Sequence, residues 1–96
     1  MAMTIRLFND RATERLFREG YTGRWGNVAA VATRKLDMLD AAELLAELRS
    51  PPGNRLEALR GDRSNQHSIR INDQWRSCFR WTDRGPEDVE IVDYHR

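Results

Sequence analysis

Two periodicities divide the chain. Up to about residue 50 the apolar positions recur at helical spacing, and beyond it they alternate. A short alternating run at residues 4–8 predicts a first strand. Asn9 or Asp10 then caps a helix that runs to about Glu19. Gly20 is its stop, and Ala12, Leu16 and Phe17 form a one-sided apolar stripe. Residues 21–26 read as a loop. A second helix begins near Asn27, with Val28, Val31, Ala32, Lys35, Leu36 and Leu39 at helical spacing, and Asp40 is expected to re-cap a further turn or helix at residues 41–48. Ser50, Pro51, Pro52 and Gly53 end the helical half, because prolines push the residues before them out of the α region.

The second half reads as short strands. Residues 55–59 are a strand candidate, and Gly61, Asp62, Arg63, Ser64 and Asn65 supply turn chemistry. Residues 66–71 alternate, with Ile69 and Ile71 on one face and Ser68 and Arg70 on the other. Asn72 and Asp73 turn the chain. Residues 75–81 place Trp75, Ser77, Phe79 and Trp81 on one face and Arg76, Cys78 and Arg80 on the opposite one. A turn at residues 82–86 leads to a last strand at residues 89–94. Consecutive short strands with tight turns imply an antiparallel sheet. The expected class is α+β, with two to three N-terminal helices on one face of a mainly antiparallel sheet of four to five strands, all within one domain of residues 1–96.

Such a sheet leaves its second face wet. That face would carry Arg70, Arg76 and Arg80 on adjacent strands. Three guanidiniums on one side repel each other unless an anion visits or carboxylates answer them, and Glu90, Asp88 and Asp93 are the candidates for the latter. Composition sharpens the point. The net charge is only +1, but fifteen of the sixteen basic residues are Arg, Lys35 being the sole lysine. Arg offers a planar fork that matches phosphate and stacks on bases. A coding bias toward Arg explains the same count.

The size excludes a deep two-domain cleft, since a domain this small buries only about 60–65% of its unfolded surface. Cys78 is the only cysteine, which excludes a disulfide scaffold and a cysteine zinc site, and its strand setting reads as a small buried thiol. The carboxylates have no metal-ligand spacing, and no glycine-rich phosphate loop is present. No cofactor is implied. No apolar run is long enough to span a bilayer, and residues 1–8 lack the apolar region of a signal peptide, so a cytoplasmic protein is expected.

Few residues can move protons near neutral pH. His67 begins a strand on the face of Ile69 and Ile71 and reads as structural. His95 lies in the run Asp93, Tyr94, His95, Arg96, which gathers a carboxylate, a phenol, an imidazole and a guanidinium. These are parts for RNA cleavage by the 2′-hydroxyl, which needs a base, an acid and cations for the charge at phosphorus, and needs no metal. Trp75 and Trp81 read as packing. Trp25, in a loop, is open between lid, base-stacking platform and partner contact.

Three stretches together resemble a known family. Residues 54–63, NRLEALRGDR, are similar to the LxxLKGDR segment of the HigB-type plasmid-maintenance killer toxins of the RelE/ParE superfamily. Residues 68–76, SIRINDQWR, resemble their SIRINxxWR hairpin, and Asp93, Tyr94 and His95 resemble their DYH ending. Lys35 and Leu36, with the Pro51–Gly53 break, fit the helical half. The resemblance implies the RelE-like fold and an endoribonuclease that cuts mRNA in the ribosomal A site. It implies a cognate HigA-like antitoxin with a helix-turn-helix domain, through which alone the chain reaches operator DNA. It also implies roles: His95 as acid or base, Tyr94 for stacking or a hydrogen bond at the scissile region, Asp93 to orient His95 or act as base, and Arg60 as a cation at the developing charge. Arg76, Arg70, Arg80 and Arg63 are its candidate phosphate contacts. One departure is Glu57, where some members have His. At neutral pH a carboxylate accepts protons, so Glu57 is a base candidate or a partner of Arg60. A non-catalytic antitoxin- or ribosome-binding module, and an operon corepressor, are the alternatives.

Overall fold

The computed structural model describes residues 5–94. Helix α1, Arg11–Glu19, is closed at both ends by the residues its sequence offers. The Asp10 carboxylate accepts from the Thr13 N–H at 3.2 Å, satisfying one of the orphan amides of the first turn. At the other end Gly20 turns left-handed at φ 71°. Its N–H reaches the Leu16 carbonyl, and that of Tyr21 reaches the Arg15 carbonyl.

A 3-10 turn, Gly26–Val28, leads into α2, Ala29–Ala41. Residues 41–48, expected as a further turn or helix, form no α-helix of their own. Instead α2 ends at Ala41, and a separate 3-10 turn, Leu45–Arg49, follows. Asp40 caps nothing beyond it, since its carboxylate accepts from the Ile5 N–H at 2.9 Å. Glu47 supplies the cap by accepting from the Glu43 and Leu44 amides.

The sheet has four strands in sequence order, all antiparallel: β1 Glu57–Ala58, β2 His67–Arg70, β3 Trp75–Thr82 and β4 Gly85–Asp93. Three expectations are corrected at its margins. The first strand reduces, within the described residues, to one parallel bridge between Phe8 and Val89. The candidate strand at residues 55–59 pairs only at Glu57 and Ala58, because Arg55 is left-handed. The last strand starts earlier than residue 89. Thr82 pairs with Gly85 around a two-residue turn, and a bulge at Asp88, φ 54°, lets β4 continue past Phe79.

The alternation fixes which face is covered. Ile69, Phe79, Val89 and Ile91 pack under Leu16, Ala32, Leu36 and Leu39 of the helices. The buried hydroxyl of Thr13 accepts from the Ile91 N–H at 3.0 Å, tying α1 to β4. Trp25 is 3% exposed and stands edge-on to Trp75, ring centres 5.4 Å apart. It is core, not a lid or platform. His67 stacks on Phe79. No helix among the described residues is long and apolar enough to cross a membrane.

Candidate functional site

The outer face of the sheet is built from cross-strand rows. Glu57, Ser68, Cys78 and Glu90 form one row, and Arg70, Arg76 and Val92 the next. This face is drier than its alternation suggests. Ser68 and Cys78 are fully buried, and Arg76 is 8% exposed. The cause is the segment between β1 and β2. Its 3-10 turn, Gly61–Arg63, sends Arg63 to Glu90 at 2.9 Å and to Gln66 at 3.1 Å. Burial works to lower the Arg63 pKa, but the hydrogen bond to Glu90 and nearby anionic groups outweigh it and hold it above the ordinary value.

Arg76 is an internal strut. Its Nε donates to the Ser68 hydroxyl at 2.7 Å, and its NH2 donates to the Arg55 carbonyl at 2.6 Å and the Ser68 carbonyl at 3.4 Å. Glu57 lies 4.0 Å from the same NH2. The β-pairing of Glu57 with Ser68 thus puts a carboxylate of the edge strand against a buried guanidinium of β3. Arg70 extends to Asp73, whose side chain is fully in solvent, so this pair is a weak surface bridge.

A groove of about 390 Å³ opens on this row, lined by Arg55, Glu57, Arg70, Asn72, Asp73, Arg76 and Tyr94. A second, of about 500 Å³, adjoins it through Glu57 and Tyr94 and is lined also by Ala58, Leu59 and Arg60. Tyr94 is held at the junction because its N–H donates to the Gln74 carbonyl at 2.7 Å. The Asp93 carboxylate accepts from the Gln74 side chain at 3.0 Å. The anticipated residues therefore sort into groups. Glu57, Arg60, Arg70, Arg76 and Tyr94 border the joined grooves, whereas Asp93 lines neither and pairs with Trp75 on the strand face of Ile91. Arg80 is elsewhere: it holds Glu87 at 3.0 Å and Asp88 at 3.2 Å, facing Trp81 and Arg84 near the hairpin tip. Arg63 is spent on Glu90. His95 lies outside the described residues.

The sequence reading missed Arg55 and the support beneath it. Asn54 is fully buried; its amide donates to the Leu48 and Ser50 carbonyls and approaches the Met38 sulfur, and its carbonyl accepts from Lys35 at 2.5 Å. Burial, then the charges of Arg34 and Arg70, pull the Lys35 pKa below its usual value. The lone lysine was a visible signal, but its partner was not. Among the described residues no cluster of His, Cys, Asp or Glu could hold a metal ion.

Comparison with known proteins gives the family. Residues 6–95 match the family of HigB-like toxins, described as the RelE-like toxin of type II toxin–antitoxin system HigB. The chain is 38% identical over 78 residues to toxin HigB-1 of Vibrio cholerae serotype O1, covering 79% of this chain and 82% of that one. It is 44% identical over 55 residues to an uncharacterized protein of Haemophilus influenzae, of which the match spans 54%. With helices on one face of an open antiparallel sheet and a family match over nearly its whole length, the chain belongs to the HigB-like, RelE-like toxins of type II toxin–antitoxin systems.

Proposed function

We propose that this toxin is a ribosome-dependent mRNA endoribonuclease whose working surface is the pair of joined grooves. One observation carries the reading. The edge strand with Glu57, the turn residue Arg60 and the end of β4 with Tyr94 converge on one surface, with Arg70 and Arg76 between them. A carboxylate, a phenol and several guanidiniums on one wall are the groups that 2′-hydroxyl attack on a phosphodiester uses.

In the proposed reaction the 2′-oxygen bonds to phosphorus as its proton passes to Glu57. The bond from phosphorus to the 5′-oxygen breaks, and that oxygen takes a proton from His95. The products are a cyclic phosphate and a 5′-hydroxyl. Asp93 orients His95, Tyr94 stacks on or hydrogen-bonds the nucleotide at the scissile bond, and Arg60, Arg70 and Arg76 oppose the charge on phosphorus. Arg63 and Arg80 stand outside the grooves, Arg63 held by Glu90 and Arg80 by Glu87 and Asp88, and take no part in this reaction. The substrate is message in the ribosomal A site. The antitoxin that the family implies is proposed to be a HigA-like helix-turn-helix protein, and the toxin is proposed to act in the cytoplasm.

The test is cleavage of message on programmed ribosomes by wild type, Glu57→Gln and His95→Ala. General acid–base groups contribute about 10²–10⁴-fold, so each variant is expected to lose at least about a hundredfold with an unchanged melting curve. Wild-type cutting by both would overturn the assignment. Growth arrest with intact transcripts would replace cleavage by occlusion.

A further inference from the structure

One groove arginine has no part in the proposed chemistry. Arg55 follows the 3-10 turn Pro52–Asn54, and its side chain lines the groove beside Glu57, Arg70 and Tyr94. Its φ is 45°, a left-handed value that non-glycine residues seldom adopt. Two hydrogen bonds hold it there. The Arg55 N–H donates to the Pro52 carbonyl at 3.1 Å, and its carbonyl accepts from Arg76 at 2.6 Å. The residue before it, Asn54, is fully buried and bonded on several sides. Such strain persists only where the surroundings over-determine it, and it gathers where ligands are gripped.

The charges point the same way. Arg76 directs its hydrogen bonds inward, to Ser68 and to the Arg55 carbonyl, and Arg70 holds Asp73. Arg55 is exposed, and its guanidinium meets no carboxylate among the described residues. Of the three arginines that line the first groove, it is the one whose donor fork faces outward uncommitted to a described acid. A guanidinium in that state matches the non-bridging oxygens of a phosphate.

Building on the nuclease reading, we infer that Arg55 is a substrate-contacting residue that grips an RNA backbone phosphate beside the scissile one. The buried Arg76 fixes the backbone from which it projects. The binding energy comes from a group on a clamped turn, so little is lost in ordering it.

The test separates binding from chemistry. Binding is measured to ribosomes programmed with message carrying 2′-deoxy substitutions at the cleavable positions, and cleavage is measured on ordinary message. The variants are R55N, R55K and R84Q. Asn tolerates the left-handed backbone, so R55N removes the charge without adding strain, and its melting temperature is expected to match wild type or exceed it. R55N is expected to bind about tenfold more weakly, the size of one lost charge-assisted hydrogen bond, with its cleavage rate at saturation retained. R55K restores most of the binding. R84Q removes an exposed arginine at the hairpin tip and is expected to bind like wild type. Wild-type binding by R55N, or an equal loss in R84Q, overturns the inference and leaves the nuclease reading standing. Tight binding by the wild type without cleavage overturns the nuclease reading, while weakening by R55N still supports the phosphate contact. A wild type that neither binds nor cuts overturns both.

Discussion

Cys78 sits on the outer face of the sheet yet has no exposed surface. Burial pushes its thiol up to about 11, with Arg63 opposing, Glu90 reinforcing and Arg76 opposing. In the unfolded chain the thiol ionises near its usual value of about 8.5 to 9. A folded pKa raised above the unfolded one means that its contribution to stability is complete below about pH 9. It is lost as pH rises toward about 11, because there the unfolded state binds fewer protons than the folded. At about 1.4 kcal/mol per pKa unit the loss is about 2–3 kcal/mol. Urea midpoints measured between about pH 8 and pH 11 are therefore expected to fall more steeply for wild type than for Cys78→Ala, and equal slopes would refute this origin. Residue by residue, what the strand pattern made legible was a side chain's face: the packing tryptophans Trp75 and Trp81 followed from alternation, whereas the buried thiol lies on the face that alternation leaves outward. Nor was Trp25 legible, because a loop residue's burial depends on what its ring meets, here Trp75.

At the scale of elements, the joint between the helical half and the sheet hangs on Asn54. Its amide holds the 3-10 turn Leu45–Arg49 and the Ser50 carbonyl, and its oxygen holds Lys35 of α2. Asn54→Ala would strand two carbonyls and an ammonium in a part-buried site. The expected cost is about 2–4 kcal/mol, read as a drop in denaturation midpoint at unchanged slope. A loss under about 0.5 kcal/mol would show that water replaces the amide. The helix caps and hairpins were readable because their signals are local. Asp10 and Gly20 act on α1 within one turn of themselves. The turn or helix expected after Asp40 is a turn, and its expected cap failed for a non-local reason: Asp40 is taken by the Ile5 amide, and Glu47 caps the turn instead. The short β1 has the same kind of cause, since the turn at Arg55 is pinned by Arg76 from β3.

For the molecule as a whole, membership of a type II toxin family implies a partner antitoxin. Induction of the chain alone is expected to arrest growth, co-production of the cognate antitoxin to relieve the arrest, and Glu57→Gln to arrest weakly or not at all. Colony counts after induction measure this, and normal growth with abundant folded wild-type chain would contradict it. The amino-acid sequence by itself determined the class, helices then antiparallel strands, because periods of 3.6 and 2 state which face each element buries. It also determined the family, through motifs spread over nearly the whole chain. Which partners hold each arginine of the outer face was decided only by the tertiary structure. All fifteen arginines look alike in one dimension, and three dimensions divide those of the outer face by their partners. Arg76 is buried against Ser68 and the Arg55 carbonyl, Arg63 is held by Glu90, Arg80 is held by Glu87 and Asp88, and Arg55 is turned outward on a strained, clamped backbone. A guanidinium's availability depends on the acids and carbonyls that folding brings within reach, and those come from distant parts of the chain.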